Sequence, residues 1–535
     1  MKRFLKIVTL WCCLALSTTL SFGQSNPKLA SDVEGLLNSI LGPLNLVIQY
    51  NSTPGLLQRL ELTALGGVIT NQYSSIPAIS VRLPVGGILG VLLDPLVSYV
   101  SLDRQVTGTL DLTTATSNAD YAFQSGYTGA GVGIAILDSG IYTHPDVASR
   151  IVYRQSFVPS KNLDDYGHGT HVAGIAAGNG AASGGLYRGV APGAKLIDLR
   201  ILDANGNSSD SVVIAAIDRA IALRNQYNIR VINLSIGRPI RESYTRDPLC
   251  AAVTAAWKKG IVVVVAAGNL GRNGYATITS PGNDPYAITV GAMKDEGTPQ
   301  RSDDLIASYS SKGPTWIDFT VKPDIVAPGN LVTSLLVPGS TLATEFPGNI
   351  SSPSYIQLSG TSMATPVVSG AAAILLQKDP TLTPDTIKAR LMKTAGKTFP
   401  LTSIAVDSTT GAVYPSTYDI FTVGAGYLDI EGALNNHDGA AGVALSPTVY
   451  WNALASTAML LKSSSSTWDN NTWSLENVWG PRVAQSTIGG TSAAWGTAAA
   501  WGSSAAWGTS AAWGTSAAWG TSAAWGSNTT GTGER

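Results

Sequence analysis

A serine in a loop of small residues is the strongest candidate for a nucleophile in this sequence. Ser362 lies in the stretch 358–366, and an apolar run over 367–377 follows it. This pattern predicts a tight loop that leads into a buried helix, with Ser362 at the helix start. Backbone N–H groups and the helix dipole favour developing negative charge there, and Gly360 lets a carbonyl group approach the backbone closely. Serine is also a common N-cap residue, so the loop alone leaves a purely structural role open.

An aspartate and a histidine in two other stretches supply the partners that such a nucleophile needs. Asp138 ends the apolar run 131–138, and His168 lies between glycines where an apolar helix begins. A serine hydroxyl is a weak nucleophile near neutral pH and needs an adjacent base. Histidine is that base, and a buried carboxylate fixes its tautomer and stabilises the imidazolium. The three residues together predict nucleophilic catalysis by Ser362.

These stretches resemble the motifs of the subtilisin-like serine proteases, the subtilases. The motifs are DSGI at 138–141, GHGTHVAG at 167–174 and GTSMATP at 360–366, and the Asp–His–Ser order is that of subtilisin. The resemblance extends from about Gly126 to about Ala433, and its details are most similar to the bacterial alkaline-protease-like branch. It implies a serine endopeptidase that hydrolyses peptide bonds in proteins through an Asp–His–Ser triad and an acyl-enzyme intermediate.

The resemblance also assigns roles to residues around the triad. The stretch VVAAGN at 264–269 resembles the segment with the family's oxyanion asparagine, which makes Asn269 a donor to the oxyanion, beside the Ser362 N–H. A turn residue after a glycine is the alternative at Asn269. Extended peptides bind a sheet edge through main-chain hydrogen bonds, and small residues leave room for a side chain. The residues expected to contact substrate, with an apolar and fairly broad P1 preference, are Ser235, Ile236, Gly237, Ala266, Ala267 and Gly268. Two ordinary core strands are the alternative there.

Apolar strands that alternate with helices predict how these residues are positioned. Continuous apolar strands between helices indicate a parallel sheet covered on both faces, and sites in such sheets form outside the carboxyl ends of the strands. With the resemblance, this predicts an α/β, subtilisin-like three-layer fold with a mainly parallel sheet over 116–437. The predicted strands are 132–137, 196–202, 231–234, 261–266 and 287–290, and the predicted helices are 170–177, 210–225, 249–259, 362–377 and 384–394.

The segment 27–110 has a pattern of its own. Strands over 46–50, 68–73, 78–83 and 96–100, with helices over 56–65 and 84–93, give the ferredoxin-like order βαββαβ. Thr53 and Pro54 predict the cap and first residue of the first helix. Subtilase propeptides share this order, so the resemblance implies a propeptide that assists folding and inhibits its own enzyme until cleavage between Asp103 and Asn118. A generic small α/β domain is the alternative.

The first 23 residues predict a secretory signal peptide. A basic start precedes an apolar run and a small-residue site at 21–23. The run is too short for a comfortable transmembrane helix, no cysteine follows the site to carry a lipid anchor, and no later stretch predicts a transmembrane segment. We expect an exported protein.

Composition limits the partners and cofactors. The net charge is −1 and only 13% of residues are charged, so nothing indicates binding to nucleic acid or to an anionic membrane surface. Two of the three cysteines lie in the signal peptide, and Cys250 is expected to be a small buried hydrophobe. No residues have zinc-ligand spacing, and the predicted chemistry requires no cofactor. Subtilases often carry structural calcium, but the sequence has no D-x-D-x-D-G loop.

The remaining histidines and a pair of aspartates have structural interpretations. We expect His171 to be a packed structural residue, His144 to lie in a turn and His437 to lie at the domain end. Asp164 and Asp165 are expected to be solvated or to cap a helix.

The end of the sequence is of low complexity. After a predicted linker over 438–485, a Trp-Gly repeat tail over 486–535 places tryptophans six residues apart from Trp495 to Trp525. Six is a multiple of two and of three, so every tryptophan would face one side of a β-strand or polyproline helix. The tail is predicted to be a β-prone module that binds a surface, a glycan or its own kind, and a disordered spacer is an equal alternative.

A rival function remains from a different class. The chain would then be an adhesive surface protein that uses a protease fold only for its own maturation. Intact motifs argue against an inactive enzyme, and activity on an unrelated protein would separate the two hypotheses.

Overall fold

The structure, a computed structural model, describes most of the chain between residues 42 and 480. The described residues are 42–72, 77–102, 109–406, 411–452, 457–461, 467–469, 471–480 and 526–527, with residues 26, 28, 29, 33, 36, 37 and 534. The chain divides into two compact units, Met1–Val106 and Thr107–Arg535. The predicted signal peptide and nearly all of the Trp-Gly repeats lie outside the described residues.

The described ranges 42–72 and 77–102 of the first unit form four antiparallel strands and two helices. Its elements are β1 (Pro43–Tyr50), α1 (Leu56–Ala64), β2 (Val68–Gln72), β3 (Ala78–Pro84), α2 (Val85–Leu93) and β4 (Val97–Leu102). The sheet order is β2–β3–β1–β4, and Leu62 of α1 and Ile88 of α2 join the strands in one core. The predicted start of α1 at Thr53 and Pro54 is wrong, because Gly55 is the N-cap and donates its N–H to Gln58 Oε1 at 2.9 Å.

The second unit contains the remaining described elements. The helices are α3 (Thr109–Thr116), α4 (Ala119–Gln124), α5 (His168–Ala177), α6 (Asp210–Tyr227), α7 (Pro248–Lys258), α8 (Thr341–Glu345), α9 (Thr361–Lys378), α10 (Pro384–Thr394), α11 (Ile430–Asn435) and α12 (Leu475–Trp479). The strands are β5 (Gly133–Asp138), β6 (Ile151–Ser156), β7 (Lys195–Arg200), β8 (Ile229–Leu234), β9 (Ile236–Gly237), β10 (Val262–Ala266), β11 (Ile288–Lys294), β12 (Leu305–Ile306), β13 (Ile325–Pro328), β14 (Val332–Leu335), β15 (Ile350–Ser352), β16 (Tyr355–Leu358), β17 (Thr402–Val406), β18 (Val413–Thr417), β19 (Thr448–Asn452), β20 (Thr457–Leu461) and β21 (Gly526–Ser527).

A mainly parallel sheet forms the centre of this unit. Its strand order is β12–β11–β10–β8–β5–β7–β6, and β13 pairs with β11. All of these pairs are parallel except β11 with β12. The five predicted strands correspond to β5, β7, β8, β10 and β11. The predicted parallel sheet is therefore confirmed.

Helices cover this sheet because its strands are apolar on both faces. Every residue of β10 is buried, although neighbouring side chains of a strand point to opposite faces. Helix α6 packs on α7 and helix α5 packs on α9, and both pairs contact the sheet. Helix α9 is buried over most of its length, which its four alanines and its single glycine, Gly370, allow. The result is an α/β fold in layers.

A second core lies beyond the main sheet and includes part of the predicted linker 438–485. Trp468, Trp473 and Trp479 are each at most 2% exposed and pack with Phe421 and Met392. The indole N–H of Trp468 donates to the Leu445 carbonyl at 2.6 Å. The described part of 438–485 is thus folded, because the three tryptophans bury large apolar surfaces that its polar composition conceals.

No helix in the described part of the chain is long and apolar enough to cross a membrane.

Candidate active site

Strand β5 and helix α5 bring Asp138 and His168 together. Asp138 is the last residue of β5 and His168 is the first of α5. His168 Nδ1 lies 2.7 Å from Asp138 Oδ1, and both side chains are fully buried. With Nδ1–H donating to the carboxylate, Nε2 is left as the acceptor atom of a neutral imidazole. In the part of the chain that the structure describes, Nε2 has no hydrogen-bond partner.

The start of α5 is held by Asp164. Its carboxylate accepts hydrogen bonds from the N–H of Gly167 at 2.7 Å and from the N–H and hydroxyl of Thr170 at 2.9 and 2.6 Å. Gly167 has a φ of +95°, a left-handed conformation that suits glycine. Asp164 therefore caps the helix, which was one of the two predicted alternatives. It is buried rather than solvated, and burial raises the pKa of its carboxyl group. Asp165 pairs with Arg200 at 2.8 Å.

Ser362 is the second residue of α9 and makes a reciprocal pair with Ser235. The Ser362 hydroxyl donates to the Ser235 carbonyl at 2.9 Å, and the Ser235 hydroxyl donates to the Ser362 carbonyl at 2.9 Å. Gly360, with a φ of +149°, precedes the helix. The predicted helix start at Ser362 is thus correct to one residue. In this conformation the Ser362 hydroxyl bonds the backbone of residue 235 and does not donate to His168.

Asn269 lies beside the same loop. Its Oδ1 accepts hydrogen bonds from the Thr361 N–H and from the Thr361 hydroxyl, both at 3.0 Å. The Gly268 N–H donates to the Thr361 hydroxyl oxygen at 3.1 Å. These bonds tie the carboxamide oxygen to the residue before Ser362, so the amide NH₂ group points away from Thr361. Thr361 is a residue that the sequence reasoning missed, although its place inside the GTS motif was a signal.

The six residues predicted to contact substrate fall into two groups. Ser235 bonds Ser362, and Ile236 and Gly237 form β9, whose pairing partner in the described part is β21. Ala266 ends β10. Ala267 donates its N–H to Val290 and accepts from Thr279, both at 3.0 Å, while the Gly268 carbonyl accepts from Ser311 at 2.9 Å. The first group adjoins Ser362 through Ser235, whereas the backbone of the second group is hydrogen-bonded within the fold.

His171, one turn after His168, is a packed structural residue as predicted. It is fully buried, and its Nε2 lies 3.2 and 3.1 Å from the carbonyl oxygens of Val332 and Ile356. Burial, together with the nearby His168, lowers the pKa of His171 to about 3.

The two remaining histidines, His144 and His437, and Cys250 lie in a turn, on the surface and in the core, respectively. The His144 carbonyl accepts the Val147 N–H at 3.1 Å, which places it at a turn as predicted, and burial lowers the pKa of its ring. His437 is exposed after α11. Cys250 is buried, and burial raises the pKa of its thiol, so the prediction of a small buried hydrophobe is confirmed. Among the described residues, no group of three or more His, Cys, Asp or Glu side chains is arranged to hold a metal ion.

Comparisons with known proteins find a family match and several similar proteases. The family described as the Subtilase family, peptidase S8, matches residues 129–424. Serine protease AprX of Bacillus subtilis (strain 168) is 42% identical over 305 residues, which are 55% of this chain and 68% of the relative. Subtilisin E of the same organism is 32% identical over 398 residues, 72% of this chain and 93% of the relative. Alkaline protease of Alkalihalobacillus alcalophilus is 36% identical over 332 residues, 61% of this chain and 76% of the relative.

Proposed function

The chain belongs to the subtilase family and is a serine-type endopeptidase, and we propose that Asp138, His168 and Ser362 are its catalytic triad. The observation that carries the proposal is the buried 2.7 Å contact between His168 Nδ1 and Asp138 Oδ1, which leaves His168 Nε2 without a described partner. A buried acceptor nitrogen is costly unless a proton donor reaches it. The hydroxyl of Ser362 is the donor that the reaction requires.

Catalysis begins with rotation of the Ser362 side chain. Its hydroxyl leaves the Ser235 carbonyl and turns to His168 Nε2, a change of one staggered rotamer for another that exchanges one hydrogen bond for another. His168 then removes the proton while Oγ attacks the scissile carbonyl, and Asp138 stabilises the imidazolium. His168 returns the proton to the leaving amine, and an acyl-enzyme forms. Water activated by His168 hydrolyses that ester and releases the second product.

The oxyanion is stabilised by Asn269 and by the N–H of Ser362. Because Thr361 holds Asn269 Oδ1, the amide donors need no reorganisation when negative charge develops. The N-terminus of α9 adds its dipole at the same place. The substrate backbone extends along Ser235, Ile236 and Gly237 at the sheet edge, and residues 266–268 form a wall of the P1 pocket. The chemistry uses no cofactor, and any calcium would serve the structure.

The other parts of the chain support a secreted proenzyme. Residues 1–23 are the signal peptide, 27–110 an inhibitory propeptide, and 116–437 the catalytic domain. The order β1-α1-β2-β3-α2-β4, with β1 and β3 at the sheet centre, favours a ferredoxin-like propeptide. Cleavage between Asp103 and Asn118 would release the enzyme. The repeats within 486–535 would bind a surface or a glycan.

The test compares secreted wild type with Ser362→Ala. Intact masses, labelling by a fluorophosphonate and casein hydrolysis are measured on both. We expect wild type to lose its propeptide, to label and to cleave casein, while Ser362→Ala does none of these. Maturation and casein cleavage by Ser362→Ala would refute the proposed nucleophile. Labelling without casein hydrolysis in wild type would favour the rival, an enzyme that processes only itself.

A further inference from the structure

A segment of the chain itself pairs with the strand proposed to hold substrate. Strand β21 lies antiparallel to β9, with Gly526 opposite Gly237 and Ser527 opposite Ile236. Residue 236 follows Ser235, whose carbonyl accepts the hydroxyl of Ser362. Pairing of an extended segment with a sheet edge is the way in which peptides are recognised by strand addition. Gly526 and Ser527 therefore occupy main-chain positions that a peptide substrate needs.

Seven residues further along the sequence, Glu534 is held in a built pocket. Both oxygens of its carboxylate lie 3.0 Å from the Ser308 N–H, the Ser308 hydroxyl also donates to it, and Arg272 pairs with it at 3.3 Å. The Glu534 side chain is only 9% exposed. Asn330 binds its backbone in both directions, through its amide to the Glu534 carbonyl at 2.8 Å and through its Oδ1 from the Glu534 N–H at 3.0 Å. The pocket thus binds both the carboxylate and the main chain of Glu534.

The carboxylate pocket formed by Arg272, Ser308 and Asn330 adjoins the nucleophile loop from the side of Asn269. Asn330 follows Gly329, whose carbonyl accepts the N–H of Gly360 at 2.8 Å. Ser308 precedes Tyr309, whose carbonyl accepts the N–H of Gly271 at 2.8 Å, two residues after Asn269. Strand β9 adjoins the same loop from the side of Ser235. The two anchors therefore adjoin the same loop.

We propose that Gly526, Ser527 and Glu534 occupy the proposed substrate cleft of their own chain and compete there with peptide substrates. The inference rests on the proposed function, because it requires β9 and the Ser362 loop to form the cleft. The carboxylate pocket is then a subsite that selects an acidic side chain at the end of a bound peptide opposite to β9. Because the segment is tethered, its effective concentration is on the order of 1 mM, so weak contacts suffice.

The first test supplies the segment as a separate molecule. A capped peptide with the sequence of residues 526–534 is added to the secreted enzyme during hydrolysis of a fluorogenic peptide, and the same peptide with Glu534→Ala is the matched control. We expect competitive inhibition, with an inhibition constant at least tenfold higher for the alanine peptide because the contacts with Ser308 and Arg272 are lost. Equal constants for the two peptides, or no inhibition at millimolar concentration, would overturn the proposal.

The second test measures occupancy within the chain. Chains of wild type and of Glu534→Ala that still contain residue 534, selected by intact mass, are labelled with the fluorophosphonate. Glu534→Ala is expected to label about tenfold faster than wild type. Glu476→Ala, at an exposed position of α12, is the control and should label at the wild-type rate. Equal rates for wild type and Glu534→Ala would contradict the segment's role while leaving the nucleophile intact. A failure of every chain to label would instead contradict the proposed function.

Discussion

Two clusters of buried polar side chains in the second unit differ in how completely their hydrogen bonds are made. The charge cluster consists of Lys322, Asp324 and Lys388, all with fully buried side chains. The triad cluster consists of Asp138 and His168, which are in contact at 2.7 Å, together with Ser362, the residue proposed to complete the catalytic triad. Within the described part of the chain, the triad cluster contains buried polar atoms without a partner, Asp138 Oδ2 and His168 Nε2, and the charge cluster contains none.

The charge cluster shows what a satisfied buried network requires. Lys322 Nζ donates to Asp324 at 2.7 Å and to the Ala287 carbonyl at 3.0 Å. Lys388 Nζ reaches the Pro285 carbonyl at 2.8 Å, Ser446 at 2.9 Å and Asp324 at 3.2 Å. Burial alone would raise the pKa of Asp324, but Lys322 and Lys388 hold it below its usual value.

The contrast separates structural from chemical use of buried polar groups. A network with every donor and acceptor paired rigidifies the fold, and removing one member leaves an uncompensated charge. Buried polar atoms without partners weaken the fold, and those of Asp138 and His168 lie where the proposed reaction would use them. Mutations in the charge cluster should therefore lower the stability of the fold. Mutations in the triad cluster should instead lower turnover.

Ser362→Ala should give the largest effect, a fall in turnover of about 10⁴-fold or more, because Ser362 is the proposed nucleophile. Hydrolysis of a peptide ester measures it. Ser369→Ala is the matched control, since Ser369 is a buried serine of the same helix whose hydroxyl bonds Asn233 at 2.8 Å. Ser369→Ala should lower the free energy of unfolding by about 1 kcal/mol. It should leave turnover per fluorophosphonate-labelled molecule unchanged. Similar turnover losses in the two variants would remove the distinction between the clusters.

Asp324→Asn should lower the free energy of unfolding by about 3–5 kcal/mol, because Lys322 and Lys388 remain buried without a carboxylate. Urea unfolding in the Ser362→Ala background, which lacks autolysis, measures the loss. Asp218→Asn, at an exposed position of α6, is the control and should change little. In the active background, turnover per folded Asp324→Asn molecule should equal that of the parent. An undiminished stability would show that the charge cluster is not a structural network.

Asn269→Ala should lower kcat by about 10²–10³-fold, the loss known for the corresponding asparagine of subtilisin, and should change KM little. The reason is that, in the proposed mechanism, Asn269 donates to the oxyanion only after attack on the carbonyl. Steady-state kinetics with a peptide substrate measure both constants. Asn273→Ala, at a nearby exposed asparagine, should leave them unchanged. A rise in KM with unchanged kcat would assign Asn269 to substrate binding instead.

His171→Gln should reveal a smaller, pH-dependent effect of burial beside the triad. The folded-state pKa of His171 is about 3, below the unfolded value of about 6.5, so the unfolded state binds the extra proton as pH falls. Wild-type stability should therefore drop by about 1.4 kcal/mol per pH unit between pH 6 and pH 4 relative to the variant, with no such change above pH 7.5. Urea midpoints of both proteins in the Ser362→Ala background check this. Parallel pH profiles would show that folding does not lower the pKa of His171.

Local sequence patterns by themselves determined the strands and helices around the site and its candidate residues. The apolar run before Asp138, the glycines around His168 and the small residues before Ser362 each predict an element from neighbouring residues, because backbone propensity and side-chain burial act locally. For the same reason β5, α5 and α9 were predicted to within a few residues.

Apart from the contact between Asp138 and His168, which the motifs predicted, only the tertiary structure decided which distant groups meet. The Ser362 hydroxyl bonds a carbonyl 127 positions away, and Asp324 meets Lys388 across the fold. Three tryptophans of a predicted linker complete a second core, and Glu534 reaches Ser308, 226 positions away. Such contacts depend on how the chain folds back on itself, and hydrogen bonds between remote residues leave no periodicity or spacing in the sequence.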